Sequence, residues 1–165
     1  MGCGKGVCSR EQGAKSPDRL DQGEITTATY RVGIGYDCHR LEDGGPLRIG
    51  GCDVPFHRHL AGHSDADVLL HAITDAVLGG GSLGDIGEMF PNTDPANRGR
   101  DSAEMLRAAY ERVRTSGLEI VNLDCVVHAE QPQLVPYRTA IRRRVAESWE
   151  SLWNRSASRP RRAKE

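Results

Sequence analysis

The sequence predicts an α/β chain, an α+β sandwich in which helices cover one face of a sheet. Short stretches rich in Val, Ile and Tyr are interspersed with two amphipathic helical patterns. Glycine clusters separate these stretches at the spacing of turns. At 165 residues the chain has room for one domain with a core that needs no covalent staples.

Residues 1–28 are rich in Gly, Lys, Ser, Asp and Gln without periodicity, and read as a disordered leader. The domain is expected to span 29–147. Thr29–Tyr36 reads as a strand whose two glycines, Gly33 and Gly35, allow close backbone approach. Leu47–Gly50 and Cys52–Val54 are short strands joined at Gly50-Gly51. Ser64-x-x-Asp67 has the form of a capping box, and a stripe of Val68, Leu69, Ala72, Ile73, Ala76 and Val77 follows. The triple glycine at 79–81 is the expected stop of that helix. Asp67, His71 and Asp75 fall on its other face. A second helix should open at Asp101 or Ser102, bury Met105, Leu106, Ala109, Tyr110 and Val113, and end at Gly117. Leu118–Val127 completes the pattern as a strand.

Five cysteines at irregular spacing, with no C-x-x-C pair, support neither a disulfide framework nor a cysteine-based zinc site. No run approaches 18 apolar residues and no signal-peptide pattern opens the chain, so a cytoplasmic protein without a membrane partner is expected. Met1-Gly2-Cys3 does not make a myristoylation signal, because Gly6 stands where Ser or Thr is required. The formal charge of −1 hides an asymmetry: residues 142–165 hold eight Lys/Arg and three Glu, a net of +5 against −6 elsewhere. Without interleaved aromatic platforms this basic stretch reads as a solvated tail, and no nucleic-acid partner is expected.

Asp37-Cys38-His39 places two ligand-type side chains on one side of an extended stretch. A third imidazole from a neighbouring helix, His71, completes a two-His, one-carboxylate set suited to a divalent metal with an open position. An isolated Asp-x-His is more often a loop feature, and the neighbouring residues give this one its weight. Gly62-His63-Ser64-Asp65 lies just before a helix, where unpaired N–H groups and the dipole favour anions. Gly84-Asp85-Ile86-Gly87 and Phe90-Pro91-Asn92-Thr93-Asp94-Pro95 form a polar loop that serves either as turn chemistry or as a phosphate- and metal-facing wall. His57, His59 and His128 receive no role.

These motifs in this order, with Asn122-Leu123-Asp124-Cys125 further on, resemble the 2-C-methyl-D-erythritol 2,4-cyclodiphosphate synthase family over Arg31–Glu147. The resemblance implies a homotrimer of α/β subunits with sites between neighbours. It also implies cyclisation of 4-diphosphocytidyl-2-C-methyl-D-erythritol 2-phosphate, with loss of CMP, in non-mevalonate isoprenoid synthesis. Asp37, His39 and His71 would hold zinc or manganese, with a second magnesium or manganese arriving with substrate. His63 would stabilise the transition state and, with Ser64, contact the diphosphate. Asp85, Ile86 and Gly87, then Phe90, Pro91, Asn92, Thr93 and Asp94, would line the substrate pocket. Ala129, Glu130, Gln131, Pro132, Gln133, Leu134 and Val135 would offer backbone contacts to CMP from the neighbouring subunit. Gln133 departs from the Lys common in the family, which weakens a phosphate or ribose contact.

From Ser148 to Glu165 nothing resembles the family, which continues with a strand and a Val-Lys-Ala-x-Thr-x-Glu motif. The Thr of that motif would polarise a phosphate and its Glu would bind the second metal. We read residues 148–165 as a frameshift product. Read one nucleotide earlier, Trp149-Glu150 yields Gly and Trp153-Asn154 yields Glu. Residues 155–165 then permit Val-Ser-Val-Lys-Ala-Lys-Thr-Gly-Glu-Gly. The competing readings are an inactive remnant that binds metal or CMP, and a non-enzymatic trimeric interaction protein.

Overall fold

Between Leu41 and Leu60 the chain folds back on itself twice, as two nested antiparallel pairs. β1 (Leu41–Asp43), β2 (Leu47–Ile49), β3 (Cys52–Val54) and β4 (Arg58–Leu60) follow in order, with β1 paired to β4 outside and β2 to β3 inside. Leu47 lies opposite Val54 and Ile49 opposite Cys52, so the inner pair turns Leu47, Ile49 and Val54 into the core. The turn between them needs positive φ twice, 59° at Gly50 and 74° at Gly51, which glycine adopts without a Cβ penalty. These coordinates are a computed structural model, and the residues described are 30–157.

Four helices complete the unit: α1 (Val68–Gly81), α2 (Ile86–Met89), α3 (Ser102–Thr115) and α4 (Arg138–Ala157). Single 3-10 turns lie at Pro95–Asn97 and Val135–Tyr137. α1 is the central element, packed on α3, α2 and β2, while α3 packs on α4. Leu69, Leu70, Ile73, Val77 and Leu78 are buried along α1, and the buried Thr74 returns its hydroxyl to the Leu70 carbonyl at 2.7 Å. α3 buries Met105, Leu106, Ala109, Tyr110 and Val113, the face expected from its period.

Three expectations are corrected. The N-cap of α1 is Asp67, whose carboxylate accepts from Leu70 N, so the Ser64-x-x-Asp67 box does not form and Asp67 is not on a polar face. α1 stops at Gly81, within the expected glycine run, and Ser82 takes the left-handed C-cap position at φ 56°. Strands over 29–36 and 118–127 are absent: described residues there carry no regular secondary structure. A strand needs a ladder, and no backbone hydrogen bond joins 31–39 or 119–130 to a neighbour among the described residues. The predicted single sheet is therefore replaced by helices over two small antiparallel pairs.

The 31–36 segment nonetheless lies flat on α1. A Cβ at Gly33 would collide with the Ala76 carbonyl oxygen, and one at Gly35 with that of Ala72. The intervening Val32, Ile34 and Tyr36 are 94%, 90% and 79% exposed. At the other end α4 extends past Glu147, and Trp149 meets Tyr110 edge-on with ring centroids 6.4 Å apart. The leader up to Thr29 and the tail from Ser158 lie outside the described residues. No helix among the described residues is long and apolar enough to cross a membrane.

Asp67 is fully buried and binds three backbone N–H groups: Gly50 at 2.8 Å, Gly51 at 2.6 Å and Leu70 at 3.1 Å. Burial pushes its carboxyl above the ordinary range, against the pull of those three donors. Removing the acceptor strands all three, at about 1–3 kcal/mol each. Asp67→Ala should therefore cost at least about 3 kcal/mol in urea unfolding, a large part of a typical ~5–15 kcal/mol. An unchanged midpoint would mean that the cap does not hold the β2–β3 turn to α1.

Candidate metal and phosphate site

The three residues singled out for a metal converge. Asp37 and His39 come from the segment that crosses α1, and His71 projects from the first turn of α1 itself. His39 Nε2 lies 3.1 Å and His71 Nδ1 3.0 Å from Asp37 Oδ2. One ligand atom from each residue falls within 4.8 Å of the others. Ligands spaced tetrahedrally at about 2.0–2.2 Å from zinc sit roughly 3.3 Å apart, so the set fits such an ion. Burial pushes the Asp37 carboxyl up, but the His71 hydrogen bond and the charges of His39 and His71 outweigh it and hold the group below its ordinary range. It stays an anion, as a ligand must.

The two rings are held differently. His39 packs against Gly62, where a Cβ would come within 3.1 Å of the ring, and its buried Nδ1 has no partner among the described residues. His71 has partners on both nitrogens. Its Nε2 lies 2.8 Å from Ser102 Oγ and 3.0 Å from Ser64 Oγ. Ser102 in turn donates to Asp65, and Arg48 Nε meets the same carboxylate at 2.8 Å. Burial raises the Asp65 carboxyl, and the Ser102 hydroxyl, the Ser102 N–H and Arg48 together bring it below its ordinary range.

Beside the triad lies a hollow of about 300 Å³ lined by Asp37, His39, His63, Ser64, His71, Ile86, Gly87, Phe90 and Asn92. It gathers eight of the nineteen residues expected at the substrate. Asp85 instead caps α2 through Glu88 N at 2.8 Å, and Asp94 caps the following turn through Ala96 N at 2.9 Å. Asp85, Pro91, Thr93 and Asp94 are thus turn-forming residues that do not line the hollow. Ala129, Glu130, Gln131 and Leu134 face a separate depression on the far side of Asp37 and His39, and Val135 another beside α4. Pro132 and Gln133 line neither. A single chain does not bring 129–135 to the hollow.

Four residues of the site had no functional role in the sequence reading. Asp75 accepts from Ile86 N at 2.8 Å and so fixes the start of α2 to α1. Asn97 is buried, donates to the Pro91 carbonyl at 2.9 Å and accepts from Arg100, whose guanidinium lies 4.7 Å from the Phe90 ring centroid. Met105 forms part of the floor, and Ser102 reaches His71. The i, i+4 spacing of His71 and Asp75 was a usable signal; nothing local in the sequence pairs Ser102 with a residue 31 positions earlier.

Chemically, a carboxylate and two imidazoles at the rim of a polar hollow suit a divalent cation with an open position. The hollow also exposes His63 and the Ser64 hydroxyl just ahead of α1, where charge on a bound phosphate is favoured.

Comparison with known proteins agrees with this geometry. The YgbB family model matches residues 30–154. A 2-C-methyl-D-erythritol 2,4-cyclodiphosphate synthase of Gemmatimonas aurantiaca is 56% identical over 116 residues, covering 70% of each chain. One from Bacillus cytotoxicus is 48% identical over 122 residues, 74% of this chain and 77% of the relative. Among solved structures, a synthase of this name in a CDP-bound form matches with a TM-score of 0.69 at 39% identity, over 73% of this chain and 80% of that one. The bifunctional IspDF from Campylobacter jejuni matches with a TM-score of 0.71 at 38% identity, over 74% and 33%. With a family match across nearly all the described residues and relatives half identical or better, the chain belongs to the YgbB family.

Proposed function

We propose that this chain is a 2-C-methyl-D-erythritol 2,4-cyclodiphosphate synthase subunit, cyclising 4-diphosphocytidyl-2-C-methyl-D-erythritol 2-phosphate with release of CMP. The observation that carries the reading is the convergence of Asp37, His39 and His71 beside His63 and Ser64, in a chain 39% identical to a CDP-bound synthase of that name. A bond forms between an oxygen of the 2-phosphate and the outer phosphorus of the diphosphate. The bond from that phosphorus to the oxygen bridging to the cytidylate breaks, and CMP leaves with the electron pair. Both reactants are anions, so positioning and charge compensation dominate, and no protein nucleophile is required.

A zinc or manganese ion held by Asp37, His39 and His71 would neutralise phosphate charge and align the reacting groups. His63 and the Ser64 hydroxyl would bind the diphosphate at the mouth of the hollow. Ile86, Gly87, Phe90 and Asn92 would shape the methylerythritol pocket, and Asn97 and Arg100 brace the loop that carries Phe90. A second magnesium or manganese would arrive with substrate.

The active unit is a cytoplasmic homotrimer in this reading. Two features support assembly: residues 129–135 do not line this chain's own hollow, and Val32, Ile34, Tyr36, Val121 and Val126 form exposed apolar positions on segments without ladder partners among the described residues. Residues 148–165 we read as out of frame, at the cost of the strand, Thr and Glu that the family supplies.

His71→Ala should lower zinc content by an order of magnitude or more, since one of three protein ligands is lost. Elemental analysis of the purified variant showing wild-type zinc would remove His71 from the site. The decisive test of function restores one nucleotide near codon 148 and follows metal-dependent CMP release. The restored protein should sediment as a trimer and turn over, with the 165-residue chain near background. Equal rates for the two, or a stop codon before Val-Lys-Ala-x-Thr-x-Glu in the shifted frame, would sink the frame reading. In the restored protein His63→Ala should slow turnover roughly a hundredfold with the fold intact; full activity would leave His63 without a catalytic role.

A further inference from the structure

We propose that Ser102, on the first turn of α3, is a positioning residue that sets the tautomer of His71 and aims its Nδ1 lone pair at the cation. The inference rests on the metal reading above and extends it to a residue 31 positions away in sequence. Its basis is hydrogen-bond accounting. Asp65 is paired with Arg48 Nε at 2.8 Å and also accepts the Ser102 N–H at 3.2 Å, so it is a carboxylate with no proton to give. The Ser102 hydroxyl, fully buried and within hydrogen-bond reach of Asp65, must therefore donate to it. Having spent its only proton, Ser102 Oγ can meet His71 Nε2 at 2.8 Å solely as an acceptor. His71 then carries its proton on Nε2.

With Nε2 protonated, Nδ1 faces Asp37 Oδ2 at 3.0 Å, where it either donates a second proton as an imidazolium or turns its lone pair to a cation. Two acceptors at that separation repel unless a positive charge lies between them. The relay Arg48–Asp65–Ser102 thus prepares His71 as a ligand through Nδ1. Ser64 Oγ also lies 3.0 Å from Nε2, but it accepts from Ala66 N, and no anion bound to it fixes its proton. It can share the Nε2–H without deciding where that proton sits. The design parallels the carboxylate that commonly backs a metal-bound histidine, with one hydroxyl interposed.

The test uses the 165-residue chain labelled with 15N-histidine and loaded with zinc. Long-range proton–nitrogen correlation should show His71 with a protonated Nε2 and a zinc-shifted Nδ1. Zinc bound through Nε2, or a proton on Nδ1 in the loaded chain, overturns the proposal without any variant. Ser102→Ala should weaken zinc binding about 10–100-fold in competition with a chromophoric chelator, and speed solvent exchange of the Nε2 proton in zinc-loaded protein. Circular dichroism of the metal-free variant checks that it is folded. Wild-type affinity in a folded Ser102→Ala chain sinks the relay and leaves the metal centre standing. A wild-type chain that holds no zinc sinks both.

Discussion

The Asp67 carboxylate is the constraint on which the rest of the structure depends. It sits where the β2–β3 turn, the N-terminus of α1 and the loop carrying His63 and Ser64 meet, and it binds N–H groups of Gly50, Gly51 and Leu70 at once. A fully buried carboxylate is tolerated only when its oxygens are paired. Here the pairing fixes the pitch and the start of α1. Because His71 lies four residues further on, one turn up the same helix, the position of this candidate ligand is set by the same bond network.

Two residues earlier, Asp65 does for α3 what Asp67 does for the inner hairpin. It joins Arg48 of β2 to Ser102 of α3. The segment 63–71 therefore carries two inward anions that hold scaffold and two outward groups, His63 and Ser64, that face the hollow. Alternation between structural and exposed polar residues explains why residues 63–67 are dense in Asp, His and Ser, before Leu69 and Leu70 begin the buried face of α1. Arg48 is itself held by Asp53 at 3.1 Å, so the network closes on the hairpin that Asp67 caps.

The apolar positions left exposed follow from the same arrangement. Gly33 and Gly35 let the 31–36 segment press against the α1 carbonyls, which brings Asp37 and His39 over His71. Period-two alternation then turns Val32, Ile34 and Tyr36 outward. The geometry that brings the three candidate ligands together thus also leaves an exposed apolar row on the same segment.

The sequence by itself determined the local devices. The 3.6-residue period placed α3 and its buried face, the glycine pair placed the inner turn, and the Asp-x-His spacing with one downstream imidazole picked out three side chains that converge. These depend on contacts within a few residues, where side-chain direction follows from backbone period. It could not determine which polar residue caps α1, because Ser64 and Asp67 both suit the role and burial against Gly50 and Gly51 decides between them. Nor could it establish 29–36 and 118–127 as strands, since strand pairing is a property of the neighbour as much as of the segment. Tertiary structure alone brought Ser102 to His71. It also left 129–135 outside the lining of the hollow. A hydrogen bond between helices depends on how the helices pack, and no short window of sequence contains that information.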